Sequence, residues 1–352
     1  MKHRLFVLGI ALAMLLLAAC DSGGSTSGDD DSGSASGVES EDTSGGETEG
    51  GEDTASGEDI KIAFSAPGAD HGWLAAVTTN AEEAAAAHDD VEFVLLEGTN
   101  DAATQTTQVE QLLNEDPDVL VILPHDGEAL TPIAQQAMDA GVPVVNVDRA
   151  FSSPQAYRTF IGGDNYGIGV SAGNYFAEEL GCEGKVVEIQ GLAGISVTDD
   201  RSQGFRDAIE QCDGGIEIIA SQPADFVPDK GLTVMETILQ AESEIDAVYT
   251  HDDDMAEGVV SAIENAGRED EMFLTGAGGS AAAMERIREG GLYRATFMYN
   301  PSMSASAVNL ARLIALGEGL DPLVEPDVPS MIVLPAATVT ADNVEEYAEL
   351  GF

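Results

Sequence analysis

Two adjacent charged residues stand where a buried strand is expected to end. Residues Val144 to Val147 form a short run rich in β-branched side chains, which predicts a strand of a parallel sheet because the run is too short for a helix. Asp148 and Arg149 follow at once. Ligands of open α/β sheets bind beyond the carboxyl ends of the strands. The Asp148 carboxylate, which accepts hydrogen bonds, and the Arg149 guanidinium, which donates them, are therefore placed to contact a polyhydroxylated molecule. The alternative is that the pair forms only a mutual salt bridge or caps the next turn.

Other predicted strand ends carry similar groups. Asp70, His71 and Trp73 follow the first predicted strand, and His251 and Asp252 follow a strand in the second half of the chain. A sugar presents hydroxyl groups and apolar ring faces, so a sugar site needs carboxylates, guanidinium groups and aromatic planes together. Because the carboxyl ends of parallel strands meet at one edge of a sheet, these residues should converge on one crevice.

Strand and helix patterns alternate along the chain after residue 59. A first series predicts strands at 60–65, 91–96, 119–123 and 144–147, with helices at 73–87, 104–113 and 129–140. A second series predicts strands at 185–189, 216–220, 247–250 and 272–274, with helices at 166–180, 204–212, 231–241 and 256–266. This alternation predicts an α/β fold with two doubly wound parallel sheets.

Two further segments indicate how the sheets are joined. The segment 159–165 between the two series is short and rich in glycine, as expected of a hinge. A helix at 302–316 and a strand at 331–334 come after the second series has filled its sheet. We therefore expect the chain to cross back between the two domains.

The N-terminus carries an export signal. Lys2 and Arg4 precede the apolar run 5–17, which is too short to span a bilayer and has the length of a signal-peptide core. The run ends in Leu-Ala-Ala-Cys at 17–20, which resembles the lipobox of bacterial lipoproteins. The resemblance implies a signal peptide at 1–20 and lipidation of Cys20, with a membrane anchor on the outer face of the cytoplasmic membrane, at the cell surface or in the periplasm. A plain cleavage site between small residues is the alternative.

A disordered acidic linker is predicted at 21–58. This segment is almost entirely Gly, Ser, Thr, Asp and Glu, and it has too few apolar side chains to fold. As a flexible coil it would reach ~35 Å, enough to hold a domain clear of a membrane. An acidic interaction tail is the alternative.

The charge of the chain excludes one large class of partner. It holds 64 acidic and 14 basic residues, for a formal net charge of −50. Nucleic-acid binding needs a basic face, so no nucleic-acid partner is expected. Such acidity is typical of proteins solvated in a salty medium.

Cys182 and Cys212 are the two cysteines beyond the leader. Both follow predicted helices and precede predicted strands, which places them at the same edge of neighbouring βα units. In an exported chain such a pair predicts a disulfide, with two buried thiols as the alternative.

From about Asp59 onward, the chain resembles the periplasmic monosaccharide-binding proteins of ABC transporters, the type that includes the ribose-binding protein. The segments that carry the resemblance are 144–149, 160–165, 188–191, 200–205 and 220–226. It implies the type I periplasmic binding protein fold, with two lobes joined by a three-crossover hinge that close over one sugar. The implied limits are 59–163 plus 300–335 for the N-terminal lobe and 164–299 plus 336–352 for the C-terminal lobe. The resemblance also implies a monomer. Its implied partners are a monosaccharide or polyol and an ABC permease.

The resemblance also implies ligand-binding roles for individual residues. Those that match the family's acid, two arginines and two aromatics are Asp148, Arg149, Arg201, Phe226 and Trp73. Asp70 and Asp252 each replace an Asn, and Tyr299 replaces a Gln. Without the resemblance, Trp73 and Phe226 are equally well interpreted as core aromatics.

Some positions depart from the family pattern. His71 and Gly72 stand where a Pro and a first Phe often occur. Gly278 stands in the place of an acid that many members use on the sugar, and Leu123 in the place of an Asn. These changes argue against ribose itself as the ligand, though not against the mode of binding.

Three motifs that elsewhere accompany catalysis or cofactors have plainer interpretations here. The GxSxG pattern at 169–173 lies inside a predicted helix, so its small residues indicate close packing of that helix on the sheet. The run 251–254 lacks the spacing of a calcium loop and predicts one ligand acceptor plus a helix cap from Asp253 or Asp254. The glycines at 276–279 lack a phosphate-loop lysine and predict a flexible turn whose N–H groups face the ligand. No metal and no cofactor are expected.

Together these features predict a substrate-binding lipoprotein of an ABC importer rather than an enzyme. It would bind its sugar by hinge closure and deliver it to the permease. A sugar-sensing subunit that presents the closed form to a membrane receptor is the alternative. An exported glycosidase would need two carboxylates that flank the sugar, for which Asp148 and Asp252 are the candidates. A transcriptional repressor is disfavoured by the signal peptide and by the lack of a basic helix-turn-helix segment.

Overall fold

Short β-branched or aromatic runs become strands and Ala-rich runs become helices in the computed structural model, which describes residues 59–320 and 326–352. The predicted signal peptide, Cys20 and the linker 21–58 lie outside these residues. The strands are β1 (Ile60–Ser65), β2 (Val91–Leu95), β3 (Val119–Ile122), β4 (Val144–Val147), β5 (Thr159–Gly163), β6 (Gly184–Gln190), β7 (Ile216–Pro223), β8 (Ala247–Thr250), β9 (Phe273–Gly278), β10 (Tyr293–Met298), β11 (Met331–Leu334) and β12 (Ala337–Thr340). The helices are α1 (Gly72–Ala86), α2 (Ala102–Leu113), α3 (Gly127–Asp139), α4 (Asn165–Glu179), α5 (Ser196–Ile209), α6 (Pro228–Ala241), α7 (Asp253–Ala266), α8 (Ala281–Glu289), α9 (Met303–Leu316) and α10 (Val344–Tyr347).

The strands form two six-stranded sheets. The first has the order β2-β1-β3-β4-β5-β11, and all its neighbours are parallel. The second has the order β7-β6-β8-β9-β10-β12, and only β12 is antiparallel to its neighbour. Strands β3 and β4 are buried along their whole length, as expected for sheets covered by helices on both faces. The predicted α/β class with two parallel-dominated sheets is confirmed.

The chain passes between the two sheets three times, after β5, after β10 and after β11. Below, the N-terminal lobe denotes 59–163 plus 300–335 and the C-terminal lobe denotes 164–299 plus 336–352. Helix α9 packs against α1, β3 and β4 and so belongs with the first sheet. Each lobe is therefore built from chain segments that are separate in sequence, and the carboxyl ends of its parallel strands are free to meet a ligand.

The segment predicted as a hinge is mostly a strand. Thr159–Gly163 forms β5, which pairs with β4 on one side and β11 on the other. Its two glycines hid the strand in the sequence, because glycine is unfavourable in strands unless another group approaches closely. Here the ring of Tyr299 approaches Gly163, where an added Cβ would lie 1.7 Å from the ring. The hinge role of 159–165 stays a prediction, since the chain passes to the second sheet directly after β5.

Helix α5 begins at Ser196, eight residues before the predicted start at Gly204. Its first two turns are polar and β-branched, so they show no apolar stripe in sequence. Their buried face contacts the other lobe and carries Val197 and Arg201. Strands β10 and β12 and helix α8 were not predicted, because each is short and flanked by ambiguous residues.

Helices α4 and α5 pack unusually closely through glycine. An added Cβ at Gly169 would lie 2.2 Å from the carbonyl oxygen of Arg201, and one at Gly173 would lie 2.6 Å from the Cβ of Ala208. The GxSxG segment therefore does lie in a helix, but it packs on a second helix and not on the sheet as predicted. None of the helices in residues 59–320 and 326–352 is long and apolar enough to cross a membrane.

The structure joins Cys182 and Cys212 in a disulfide. The S–S distance is 2.00 Å and the Cα atoms are 5.0 Å apart. Cys182 follows α4 and Cys212 follows α5, so the bond links the ends of the two closely packed helices.

Candidate functional site

A small cavity lies between the two lobes, at the carboxyl ends of their strands. The residues that line it follow the parallel strands or belong to α5: His71, Trp73, Asp148, Arg149, Val197, Arg201, Phe226, Asp252, Ala277, Gly278 and Tyr299. Every predicted ligand-binding residue except Asp70 is in this set.

Asp148 and Arg149 are positioned by the turn that ends β4. The backbone of Asp148 is left-handed, with φ of +62°, and the Asn146 amide donates to the carbonyl oxygen of Arg149 at 3.0 Å to close the turn. Nη1 of Arg149 donates to the carbonyl oxygen of His125 at 2.8 Å. Both charged side chains are only 4% exposed, so the turn holds an acid and a guanidinium rigidly against the cavity.

The two charges also pair with each other. Nε of Arg149 lies 3.7 Å from Oδ2 of Asp148, and the hydroxyl of Tyr299 donates to Oδ1 of the same carboxylate from the C-terminal lobe. Burial lowers the pKa of Arg149, an effect that the charge of Asp148 opposes. The mutual salt bridge and the placement at the cavity thus occur together.

Arg201 reaches the cavity from α5 in the C-terminal lobe. Its Nε donates to Oδ1 of Asn165 at 2.9 Å, and its Nη1 donates to the carbonyl oxygen of His251. The guanidinium carbon lies 5.1 Å from the ring centroid of Tyr299, within the range of a cation–π contact. These partners are all neutral, so the charge of Arg201 remains available to a bound molecule.

A buried polar network supports Arg201 from behind. Glu188, fully buried on β6, accepts hydrogen bonds from Ser202, Arg206 and Ser221, each at 2.6 Å. Burial favours the protonated carboxyl, but hydrogen bonds with His251 and the two serines lower the pKa of Glu188 to about 2. The network thus attaches α5 to β6 and β7 and fixes the helix that carries Arg201.

Two aromatic side chains line the cavity on opposite lobes. Trp73 stacks on Tyr299 with ring centroids 5.4 Å apart and an interplanar angle of 14°, and its Nε1 donates to the Tyr299 carbonyl oxygen at 2.8 Å. Phe226 packs with Ile195 and Val197. Both rings are about 5% exposed, so they are core-like and line the cavity at once.

His71 lines the cavity, whereas Asp70 lies behind it. Nδ1 of His71 is 2.6 Å from Oδ1 of Asp70, and the amide of Asn100 donates to Oδ2 at 3.0 Å. Burial opposes the charged imidazole, but the hydrogen bond to Asp70 and the charges of Asp252 and Asp254 raise the pKa of His71. The structure therefore places Asp70 as the partner that orients His71, and the ligand-binding role expected of Asp70 stays a prediction.

Asp252 itself caps α7, which differs from the cap predicted at Asp253 or Asp254. Oδ1 of Asp252 accepts from the backbone N–H of Met255 at 2.9 Å while the side chain lines the cavity. Burial raises the pKa of Asp252 to about 7, with a smaller contribution from Asp254 and an opposing one from His71.

Asp253 is committed to the interior of the C-terminal lobe. Its carboxylate accepts from the hydroxyls of Tyr293 and Thr296 and from the backbone N–H groups of Gly279 and Ser280, all at 2.7–2.9 Å. The N–H of Gly279 thus binds Asp253, whereas the sequence led us to expect it to face the ligand.

Sequence reasoning missed Val197 and Ala277 as parts of the lining. Val197 lies in the part of α5 before its predicted start, and Ala277 lies in the part of β9 after its predicted end. Both are small and apolar, so neither side chain indicates binding. Within residues 59–320 and 326–352, no three His, Cys, Asp or Glu side chains are grouped so as to hold a metal ion.

Two α/β lobes that meet over a charged and aromatic cavity form the type I periplasmic binding protein fold. Residues 62–319 match the family model described as the periplasmic binding protein domain, so the chain belongs to the periplasmic binding protein family.

Curated relatives include two ribose import binding proteins. The protein of Bacillus subtilis is 34% identical over 199 residues, which cover 56% of this chain and 63% of the relative. The protein of Escherichia coli K12 is 32% identical over 226 residues, which cover 64% of this chain and 75% of the relative. The match thus spans less than two thirds of the Bacillus relative's own length.

A solved structure with the same fold is the ABC transporter solute-binding protein of Bacillus halodurans with bound myo-inositol. The TM-score is 0.77 at 28% identity, and the match covers 84% of this chain and 99% of the other.

Proposed function

We propose that this protein binds a monosaccharide or a closely related polyol and that its lobes close around the bound molecule. The observation that carries the proposal is the composition of the interlobe cavity. Arginines and carboxylates from both lobes line one small cavity together with Trp73 and Phe226, and hydroxyl-rich rings need both kinds of contact. The names of the relatives support the same class of ligand.

Arg201 adds a second argument. In residues 59–320 and 326–352, every other Lys and Arg side chain lies within 4.0 Å of a carboxylate oxygen. A buried guanidinium without a carboxylate partner is costly unless a bound molecule supplies acceptors. Hydroxyl oxygens of a sugar supply them. Closure is then favoured because the ligand contacts both lobes at once.

We further propose that the closed form delivers its ligand to an ABC permease and catalyses no reaction. Export, lipidation at Cys20 and a monomeric state belong to the same proposal. Support comes from the leader sequence, from the family and from relatives that are themselves named as import binding proteins.

The test uses the fact that Trp73 is the only tryptophan and lines the cavity. The full chain is titrated with pentoses, hexoses, deoxysugars and polyols, beginning with D-ribose and myo-inositol, while tryptophan fluorescence and melting temperature are followed. We expect one compound to shift both signals. If no compound shifts either, the monosaccharide class is wrong.

Arg149→Ala should abolish this binding and leave the protein folded, because it removes a fork of donors from the cavity. Arg288→Ala is the matched control, since that arginine lies at the surface with Glu285 and Glu345. Retained affinity in Arg149→Ala would place the site elsewhere.

A further inference from the structure

Helix α1 begins at the cavity without a capping side chain of its own. Its N-cap residue is His71, and this side chain makes no capping hydrogen bond. The other three helices that follow strands of the first sheet do have such caps: Asp101 accepts from Thr104 N–H at the start of α2, Asp126 from Ala129 N–H at the start of α3, and Asp164 from Gly167 N–H at the start of α4. The first N–H groups of a helix have no partner within it, so α1 lacks a contact that its neighbours make.

A carboxylate from the opposite lobe occupies that place. Oδ2 of Asp254 accepts a hydrogen bond from the backbone N–H of Trp73 at 3.0 Å, although the two residues are 181 positions apart. Asp254 lies in the first turn of α7 in the C-terminal lobe, and Trp73 lies in the first turn of α1 in the N-terminal lobe. The negative charge also interacts favourably with the positive end of the α1 dipole.

Gly72 leaves the space that this contact requires. An added Cβ at Gly72 would lie 2.8 Å from Oδ1 and 3.2 Å from Oδ2 of Asp254. The φ of Gly72 is not in the left-handed region, so its backbone does not call for glycine. The requirement for a small residue therefore comes from the carboxylate of the other lobe.

The contact acts on a residue of the candidate site. Trp73 is held at its backbone by Asp254 and at its indole by the Tyr299 carbonyl oxygen, while its ring lines the cavity. Because Asp254 and Trp73 lie on different lobes, opening of the hinge separates them. The helix cap therefore exists only when the lobes are together.

We propose that Asp254 is a positioning residue that caps α1 across the cleft, stabilises the closed form and sets Trp73 against the bound molecule. The inference rests on hinge closure as described in the proposed function. It assigns to Asp254 and Gly72 a role that does not depend on which sugar is bound.

The test measures closure without any ligand. Ser196 Oγ lies 3.4 Å from the backbone N of Ala150 across the cleft, so Ala150→Cys and Ser196→Cys together provide a pair that can cross-link when the lobes meet. The rate of cross-linking under mild oxidation then reports the closed population of the full chain. Asp254→Ala should slow it by about 2- to 30-fold, the range expected for loss of a helix cap. Asp254→Asn, which keeps an oxygen acceptor, should slow it less.

Gly72 provides a second and independent variant. Gly72→Ala should also slow cross-linking, because its methyl group displaces the carboxylate from Trp73 N–H. In the Asp254→Ala background the same change should have no further effect, since nothing remains to displace. Asp101→Ala is the control: it removes a cap within one lobe, so it should lower the stability to urea and leave the cross-linking rate unchanged.

Unchanged rates in both Asp254→Ala and Gly72→Ala would overturn the proposal, as would additive effects in the double variant. The proposal would also be overturned if the chain that carries only Ala150→Cys and Ser196→Cys failed to cross-link, because the lobes would then not meet between these two residues. Since no sugar is present, failure of every sugar to bind would refute the proposed function and leave this result intact.

Discussion

At the scale of single residues, Asp252 has the protonation equilibrium that matters most to the cavity. Its pKa is raised by burial from an ordinary 3.8 to about 7, so the folded protein binds this proton more tightly than the unfolded chain does. Its contribution to stability is therefore fully present below about pH 4 and is lost as the pH rises through about 7.

Asp252→Asn should remove this pH dependence, and Asn can still cap α7. Between pH 4 and pH 8 the stability of the variant should improve relative to the parent by roughly 4 kcal/mol, as measured by urea unfolding at each pH. Asp342→Asn, at an exposed position, controls for the loss of one surface charge. If the unfolding free energies of variant and parent differ by the same amount at pH 4 and at pH 8, Asp252 is not protonated near neutrality.

Glu188 shows the opposite behaviour. Because its pKa is lowered to about 2, its contribution to stability is present above its ordinary pKa of 4.5 and is lost as the pH falls toward 2. Glu188→Gln puts an amide where a buried carboxylate accepts hydrogen bonds from Ser202, Arg206 and Ser221, and it should destabilise the protein by roughly 1–3 kcal/mol at pH 7. Urea unfolding measures this loss, and Glu217→Gln on the neighbouring β7 strand is an exposed control. A loss no larger than that of the control would mean that the network is not stabilising.

The candidate site could be predicted from sequence wherever a polar side chain directly follows a strand. Asp148, Arg149 and Asp252 were found in this way, because the end of a parallel strand fixes where the next residues lie. Sequence did not indicate that Asp70 orients His71, because one residue of difference along a turn decides whether a side chain faces the cavity or supports its neighbour. The cap of α7 was predicted at Asp253 or Asp254 but is formed by Asp252 for the same reason, because a shift of one residue along the turn changes which carboxylate reaches the start of the helix.

At the scale of elements, the ends of α4 and α5 depend on the Cys182–Cys212 disulfide. The two cysteines are 30 residues apart, and closing a loop of that size in the unfolded chain stabilises a protein by about 2–4 kcal/mol. The double variant Cys182→Ser plus Cys212→Ser should therefore unfold at lower urea concentration by that amount. Iodoacetamide should label neither Cys182 nor Cys212 in the unreduced parent protein, and labelling of both would contradict the bond.

Element boundaries were predictable where apolar periodicity continues to the end of the element. Strand β3 meets this condition, since burial on both faces makes it continuously apolar, and β4 is apolar except for Asn146. At the start of α5 the apolar periodicity is interrupted, because the face buried there lines the interlobe cleft and includes the charged Arg201. Strand β5 was not predicted for a related reason. Its Gly163 accommodates the ring of Tyr299, which comes from a distant part of the chain.

At the scale of the whole molecule, acidic residues far outnumber basic ones. The formal net charge is −50, and apart from Arg201 the Lys and Arg side chains of residues 59–320 and 326–352 already lie beside carboxylates. In this part of the chain the acids outnumber the Lys and Arg side chains several-fold, so most of them repel one another. This repulsion opposes the compact state, in which the charges are closer together than in the unfolded chain.

Added salt should therefore stabilise the fold. Raising NaCl from about 0.02 M to about 0.5 M shortens the screening length from roughly 20 Å to roughly 4 Å, which weakens repulsion between distant acids more than attraction within close pairs. We expect the melting temperature to rise by roughly 2–8 °C, the shift that about 1–2 kcal/mol produces in a protein of this size. Most of the rise should occur below about 0.2 M, because screening saturates whereas salt effects on apolar burial continue to grow with concentration. A melting temperature that falls with salt would mean that the ion pairs, and not the unpaired acids, dominate the electrostatic free energy of folding.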